Sequence, residues 1–221
     1  MDRFTTREAG RQTRHSFSFG SSYDPDRVSF GPLIALNDDL LAAGAGYDAH
    51  EHRAVVLVTW VLTGELVHED ADGVVRQPVG ELAITRAGSG ITHNERAGGR
   101  ATRFVQAWLR PGDQGASGHD GEPSRRTSRP DLGADDLVVV ADEHDLGIPG
   151  AAYLIGDVAA GATVTVPVAP LRYVFVATGA LTRSSLAEPL SAGDAFEITG
   201  DHEVTVTAAV PTQLLVWSFA E

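Results

Sequence analysis

The chain has 221 residues, 43% of them hydrophobic and 21% charged, enough to bury the core of one large or two small domains rather than stay disordered. Its net charge is −13, and all 17 basic residues are arginine, a surface that repels phosphate and argues against a direct nucleic-acid binder. Cysteine is absent, which excludes disulfides, thiolate nucleophiles and cysteine-ligated zinc.

Along the chain, Met1 to Phe17 lacks the apolar run of a secretory signal. The longest apolar stretch, Ala54 to Leu62, is too short to span a bilayer, so a cytoplasmic protein with no membrane partner is expected. Glu65–Glu69 and Val74–Gln77 read as strands around an Asp70-Ala-Asp-Gly73 turn. Arg103–Arg110 is rich in strand formers, with Gln106 as a polar residue inside it. From Pro111 to about Gly133, glycine and proline dominate and an irregular connection is expected, with Arg125, Arg126 and Arg129 solvated. Beyond it, Leu137–Ala141, Ala162–Val168, Leu171–Ala177, Glu203–Ala208 and Gln213–Phe219 are further short strands. No helical stripe is sustained, and the pattern suggests a sandwich or barrel.

The two halves share a signature. Trp60-Val-Leu-Thr-Gly-Glu-Leu66 precedes Pro78-Val-Gly-Glu-Leu-Ala-Ile-Thr85, and Val176-Ala-Thr-Gly-Ala-Leu181 precedes a stretch from Pro189 that ends Ile198-Thr199. Two copies of one β-unit follow from this spacing.

The chemistry concentrates in His50-Glu-His52 and His93-Asn-Glu95. Residues two apart on a strand share a face, so each pair can aim two donors at one point. Three imidazoles and a carboxylate suit Zn, Fe, Ni, Cu or Mn, whereas Ca or Mg would want an all-oxygen shell. The competing reading is a set of surface or hydrogen-bonded histidines, and either pair alone would fit that. His68, His119 and His144 read as solvated or hydrogen-bonded, His202 as solvated, and His15 as a structural hydrogen-bonding residue. The dinucleotide-like Gly44-Ala-Gly46 and the elbow-like Gly88-Ser89-Gly90 lack the strand-to-helix context their chemistry needs.

Several stretches together resemble the pirin family of bicupins: His15-Ser-Phe-Ser-Phe19, Tyr23-Asp-Pro25, Asn37-Asp-Asp39, Gly46 with His50-x-His52-Arg53, Leu62-x-Gly64, His68-Glu-Asp70 and Ala87-Gly-Ser-Gly-Ile-Thr-His-Asn-Glu95. The resemblance is strong over the first half and reaches the second only through the repeat. It implies an all-β fold of two tandem cupin barrels (double-stranded β-helix, jelly-roll). The expected division is a metal-binding barrel over 1–115, a linker over 116–133 and a degenerate barrel without metal over 134–221. It also implies one divalent metal ion on His50, His52, His93 and Glu95, with iron as the expected ion and Ni, Cu, Mn or Zn compatible. Two departures stand out. Val56 occupies the place where cupins usually carry a further Glu, and Thr163 to Val168 holds no histidine pair.

The implied activity is a dioxygenase that cleaves quercetin or a related enolisable aromatic with O₂, with Glu95 as general base and catalytic residue. Its partners would be that small aromatic and O₂. The alternative implied by the family is a non-enzymatic, metal- or redox-responsive regulator that binds a protein partner.

Overall fold

Strand formers dominate both halves of the chain, and the computed structural model divides it into two units, Asp2–Pro130 and Asp131–Glu221. The structure describes residues 4–19, 23–111, 121–182 and 189–220. His119 lies outside them.

The first unit holds β1 (Phe4–Glu8), β2 (Arg11–His15), β3 (Leu33–Leu41), β4 (Gly46–His52), β5 (Val56–Thr63), β6 (Glu65–Asp70), β7 (Gly73–Pro78), β8 (Leu82–Arg86), β9 (Ile91–Ala97), β10 (Thr102–Leu109) and β11 (Ser124–Ser128). They form a seven-stranded sheet, β1-β2-β3-β10-β5-β8-β11, and a four-stranded sheet, β4-β9-β6-β7, the two-sheet architecture of a cupin barrel. β5 lies between β10 and β8 and is buried from Val56 to Val61, which explains its unbroken apolar run.

Between the sheets the character changes along the barrel. Leu41, Val61, Leu66, Ala97 and Phe104 form one apolar cluster, and Val55, Leu57 and Ala87, with Ile91 and Trp108, form another. On β10 the alternation Phe104, Gln106, Trp108 runs from the first cluster to the second. It places Gln106 in the polar layer between them.

The second unit holds β12 (Val138–Ala141), α1 (Glu143–Leu146), β13 (Ala152–Val158), β14 (Thr163–Val166), β15 (Leu171–Thr178), β16 (Ala195–Thr199), β17 (Val204–Thr207) and β18 (Thr212–Phe219). The sheets are β12-β13-β18-β15-β16 and β14-β17. Val164, Val166, Val174, Val176, Leu214 and Val216 fill its core with aliphatic side chains.

The repeat is visible in atomic detail. Gly64 and Gly179 have φ of 82° and 78°, and a Cβ on either would come within 2.4 Å of the Oγ1 of Thr102 or Thr212. Those hydroxyls accept from the N–H of Glu65 and Ala180 at 3.1 and 3.0 Å, and the carbonyls of the same residues lie within their donating reach at 2.9 and 3.0 Å, that of Thr212 shared with the Val210 carbonyl at 2.7 Å. The two units therefore share one strand–turn–strand device, as expected of tandem cupin barrels.

Two expectations need correction. Within the expected linker, Ser124–Ser128 is a strand that pairs with β8, because the outer edge of β8 offers backbone hydrogen bonds that the Ser124–Ser128 backbone takes up. Arg125 is accordingly half-buried, and its guanidinium donates to Gln77 Oε1 at 3.4 Å. The acidic loop around His144 contains a helical turn, because the Asp142 side chain accepts from the N–H groups of His144 and Asp145.

Candidate metal centre

Pairing of β4 with β9 sets His50 opposite His93, and pairing of β6 with β9 sets His68 opposite Glu95. On β9, His93, Glu95 and Ala97 are buried while Thr92 and Arg96 are exposed, so His93 and Glu95 share the inward face. The sequence-predicted residues meet in two overlapping triads. One ring nitrogen from each of His50, His52 and His93 lies within 4.8 Å of the others, and Glu95 forms a second such triad with His93 and His68. His93 belongs to both.

Ring orientation bears on whether an ion fits. His50 Nδ1 lies 2.7 Å from the Asp48 carbonyl, which only accepts, so this nitrogen carries the hydrogen and Nε2 keeps its lone pair. That Nε2 faces His93 Nε2 at 3.2 Å. His52 Nε2 is buried with no hydrogen-bond partner among the described residues. Nitrogens bound at ~2.1 Å to one ion, with angles of about 90–109°, stand about 3.0–3.4 Å apart, so the His50–His93 spacing fits a shared cation. Burial lowers the pKa of both His52 and His93 to about 4, helped by neighbouring imidazoles, and so favours the neutral, ligating form.

Glu95 is buried, and Gln106 Nε2 donates to both its oxygens at 3.2 and 3.0 Å. Burial alone would raise its pKa, but the polar groups packed around it, the donating Gln106 amide among them, outweigh burial and lower it. The amide cannot turn over freely, because Trp108 Nε1 donates to Gln106 Oε1 at 2.9 Å. Trp108 also packs edge-on against His52, with centroids 4.7 Å apart.

A cavity of about 240 Å³ reaches Glu95, Gln106 and Trp108. Its walls include Phe19, Tyr47 and the buried Asp39, whose Oδ1 accepts from Thr13 Oγ1 and Tyr47 Oη, each at 2.5 Å. His15 lines it too, stacked on Phe19 at 4.4 Å and held by Asn37 Oδ1 at 2.9 Å, which fits its expected hydrogen-bonding role.

Sequence reasoning missed the roles of His68 and Asp39. His68, expected to be solvated or hydrogen-bonded, is hydrogen-bonded to Asp70 and only 2% exposed, at the metal centre rather than on the surface. The available signal was parity: Leu66 and His68 lie two apart on one strand, and so do Asp39 and Leu41 on another, so each polar residue shares a face with a core leucine.

Two tandem barrels, the first presenting His-x-His and His-x-Glu inward, define a bicupin. A family model described as Pirin matches residues 1–109. The chain is 36% identical over 232 residues to the Mycobacterium tuberculosis protein named "Putative quercetin 2,3-dioxygenase Rv0181c", covering 98% of this chain and 91% of the relative. It is 30% identical over 212 residues to a pirin-like protein of Caulobacter vibrioides, covering 93% and 90%. Among solved structures, the bacterial pirin YhhW from Escherichia coli, in complex with nickel(II), superposes with a TM-score of 0.83 at 24% identity, covering 97% of this chain and 94% of that one. The chain belongs to the pirin family. No helix among the described residues is long and apolar enough to cross a membrane.

Proposed function

We propose that this chain holds one divalent transition-metal ion on His50, His52, His93 and Glu95, and that it opens quercetin or a related enolisable aromatic with O₂. The observation that carries the reading is the pair of Nε2 atoms 3.2 Å apart beside a buried, partnerless His52 Nε2. Iron is the proposed ion, and the nickel held by the pirin YhhW supports a divalent metal in general. The name of the mycobacterial relative supports the substrate class.

When bound, the ion supplies Lewis-acid stabilisation of a substrate oxyanion. The chain's own residues do the rest. Phe19, Tyr47 and Trp108 offer flat apolar walls to an aromatic ring, and Asn37, Asp39 and Gln106 offer polar contacts to its oxygens. Gln106 holds the Glu95 carboxylate in place, and Glu95 accepts the proton that the substrate hydroxyl gives up. Within this proposal the protein works in the cytoplasm, the first barrel carries the chemistry and the second holds no metal.

The regulator reading keeps one observation in its favour. A carboxylate whose pKa is held low stays ionised and open to a cation but is a weak base, which suits a metal-holding protein as well as an oxygenase. Oxygen uptake separates the two. Protein loaded in turn with Fe, Ni, Cu, Mn and Zn is mixed with quercetin in air while O₂ and the flavonol absorbance are followed. Consumption of both with at least one metal is expected. No consumption with any metal or flavonol would sink the enzyme reading and favour the regulator.

A further inference from the structure

We infer that His68 and Asp70 are positioning residues that hold the His93 ring in the tautomer with a bare Nε2 and so preset it as a metal ligand; the inference rests on the metal reading above. A chain of hydrogen bonds runs along β6 and into β9. Asp70 Oδ2 lies 2.9 Å from His68 Nε2, and its Oδ1 accepts the Asp72 N–H at 2.9 Å. Burial works against the Asp70 charge, but the hydrogen bonds from His68 and Asp72 outweigh it and lower its pKa. An ionised carboxylate only accepts, so His68 Nε2 carries the hydrogen.

In a neutral imidazole the other nitrogen is then an acceptor. His68 Nδ1 lies 3.2 Å from His93 Nδ1 but 3.8 Å from Glu95 Oε1, beyond hydrogen-bonding range. The hydrogen between the two rings therefore belongs to His93 Nδ1, which donates to His68. His93 is left with its lone pair on Nε2, the atom that faces His50 Nε2.

The geometry makes this arrangement hard to avoid. His68 and His93 are each 2% exposed, so bulk water does not compete for the hydrogen between the rings. The two rings meet at 4.8 Å between centroids and 60° between planes, an edge approach that suits an in-plane N–H donor. Outer partners of metal-bound histidines typically contribute about 10–100-fold in metal affinity, because they fix both the tautomer and the ring angle.

The test uses zinc as the probe, because it is diamagnetic. Long-range ¹H–¹⁵N spectra of the unmutated protein should show His93 protonated at Nδ1 with and without zinc, and His68 protonated at Nε2. In zinc titrations His68→Phe should weaken binding about 10–100-fold. His68→Gln, whose Oε1 can still accept from His93, should recover most of the loss, which a merely structural role would not explain. His93 protonated at Nε2, His68 protonated on both nitrogens, or unchanged zinc affinity in His68→Phe would each overturn the relay. If His68→Phe does not fold, the ring spectra of the unmutated protein decide. An unmutated chain that takes up no zinc overturns the metal reading and the ligand role with it, whereas normal uptake in His68→Phe overturns the relay alone.

Discussion

His50 and His93 meet Nε2 to Nε2 at 3.2 Å, across the non-sequential pair β4 and β9. His50 has its hydrogen on the far side of the ring, on the Asp48 carbonyl, so one of the two facing nitrogens is bare by construction. Such an arrangement is costly inside a protein unless a cation or a shared proton joins the rings. A buried unsatisfied polar atom alone costs about 1–3 kcal/mol, and His52 Nε2 adds one at the same place.

The buried Asp39 gives a pH prediction. Burial first, and then nearby carboxylates, raise its pKa to about 7, against hydrogen bonds from Thr13 and Tyr47 that pull it down. With the folded value raised, its stabilisation is complete below the ordinary carboxylate pKa and is lost as pH rises through about 7. His52 and His93 act in the opposite sense, losing stability as pH falls from the ordinary histidine range towards about 4. Comparison with Asp39→Asn cancels the histidines. The variant should gain on the unmutated, metal-free protein between pH 5 and pH 8, by ~2–3 kcal/mol. Denaturant unfolding at the two pH values checks this, and an equal stability difference at both would contradict it.

Glu95→Gln separates ligand from base. The amide keeps an oxygen for the ion but cannot take a proton, and its NH₂ meets the Gln106 donor that now faces the carboxylate. Turnover of quercetin should fall by about 10²–10⁴-fold while metal content stays largely intact. Full activity in this variant would place the base elsewhere.

The duplicated turn should show in stability. Thr102 and Thr212 are 0% and 4% exposed and serve both backbone groups of the residue after the turn glycine. Replacing either with valine keeps the shape and strands those groups, at a cost of about 1–3 kcal/mol. Thermal unfolding of Thr102→Val and Thr212→Val should show a loss in each. No loss in either would break the equivalence of the two turns.

Much of this site was legible because strand parity is local. His50 with His52, and His93 with Glu95, announce a shared face two residues at a time, and the Thr-Gly turns announce the duplication. What was not legible depends on register between distant strands. Nothing near His68 says that β6 will lie beside β9 and bring its ring to His93. Asp39 finds Tyr47 and Thr13 only once β2, β3 and β4 are in place. β11 escaped because serine and arginine are poor strand signals, and the pairing comes from an edge that β8 leaves open.

The central claim is that the first barrel carries one metal ion on facing histidines. Elemental analysis of the purified protein, with His50→Ala, His93→Ala and His202→Ala beside it, tests this most directly. His202 is exposed in the second unit and serves as the control. About one divalent metal ion per chain is expected in the unmutated protein and in His202→Ala, with near-complete loss in the other two. Full metal occupancy in both His50→Ala and His93→Ala would contradict the account.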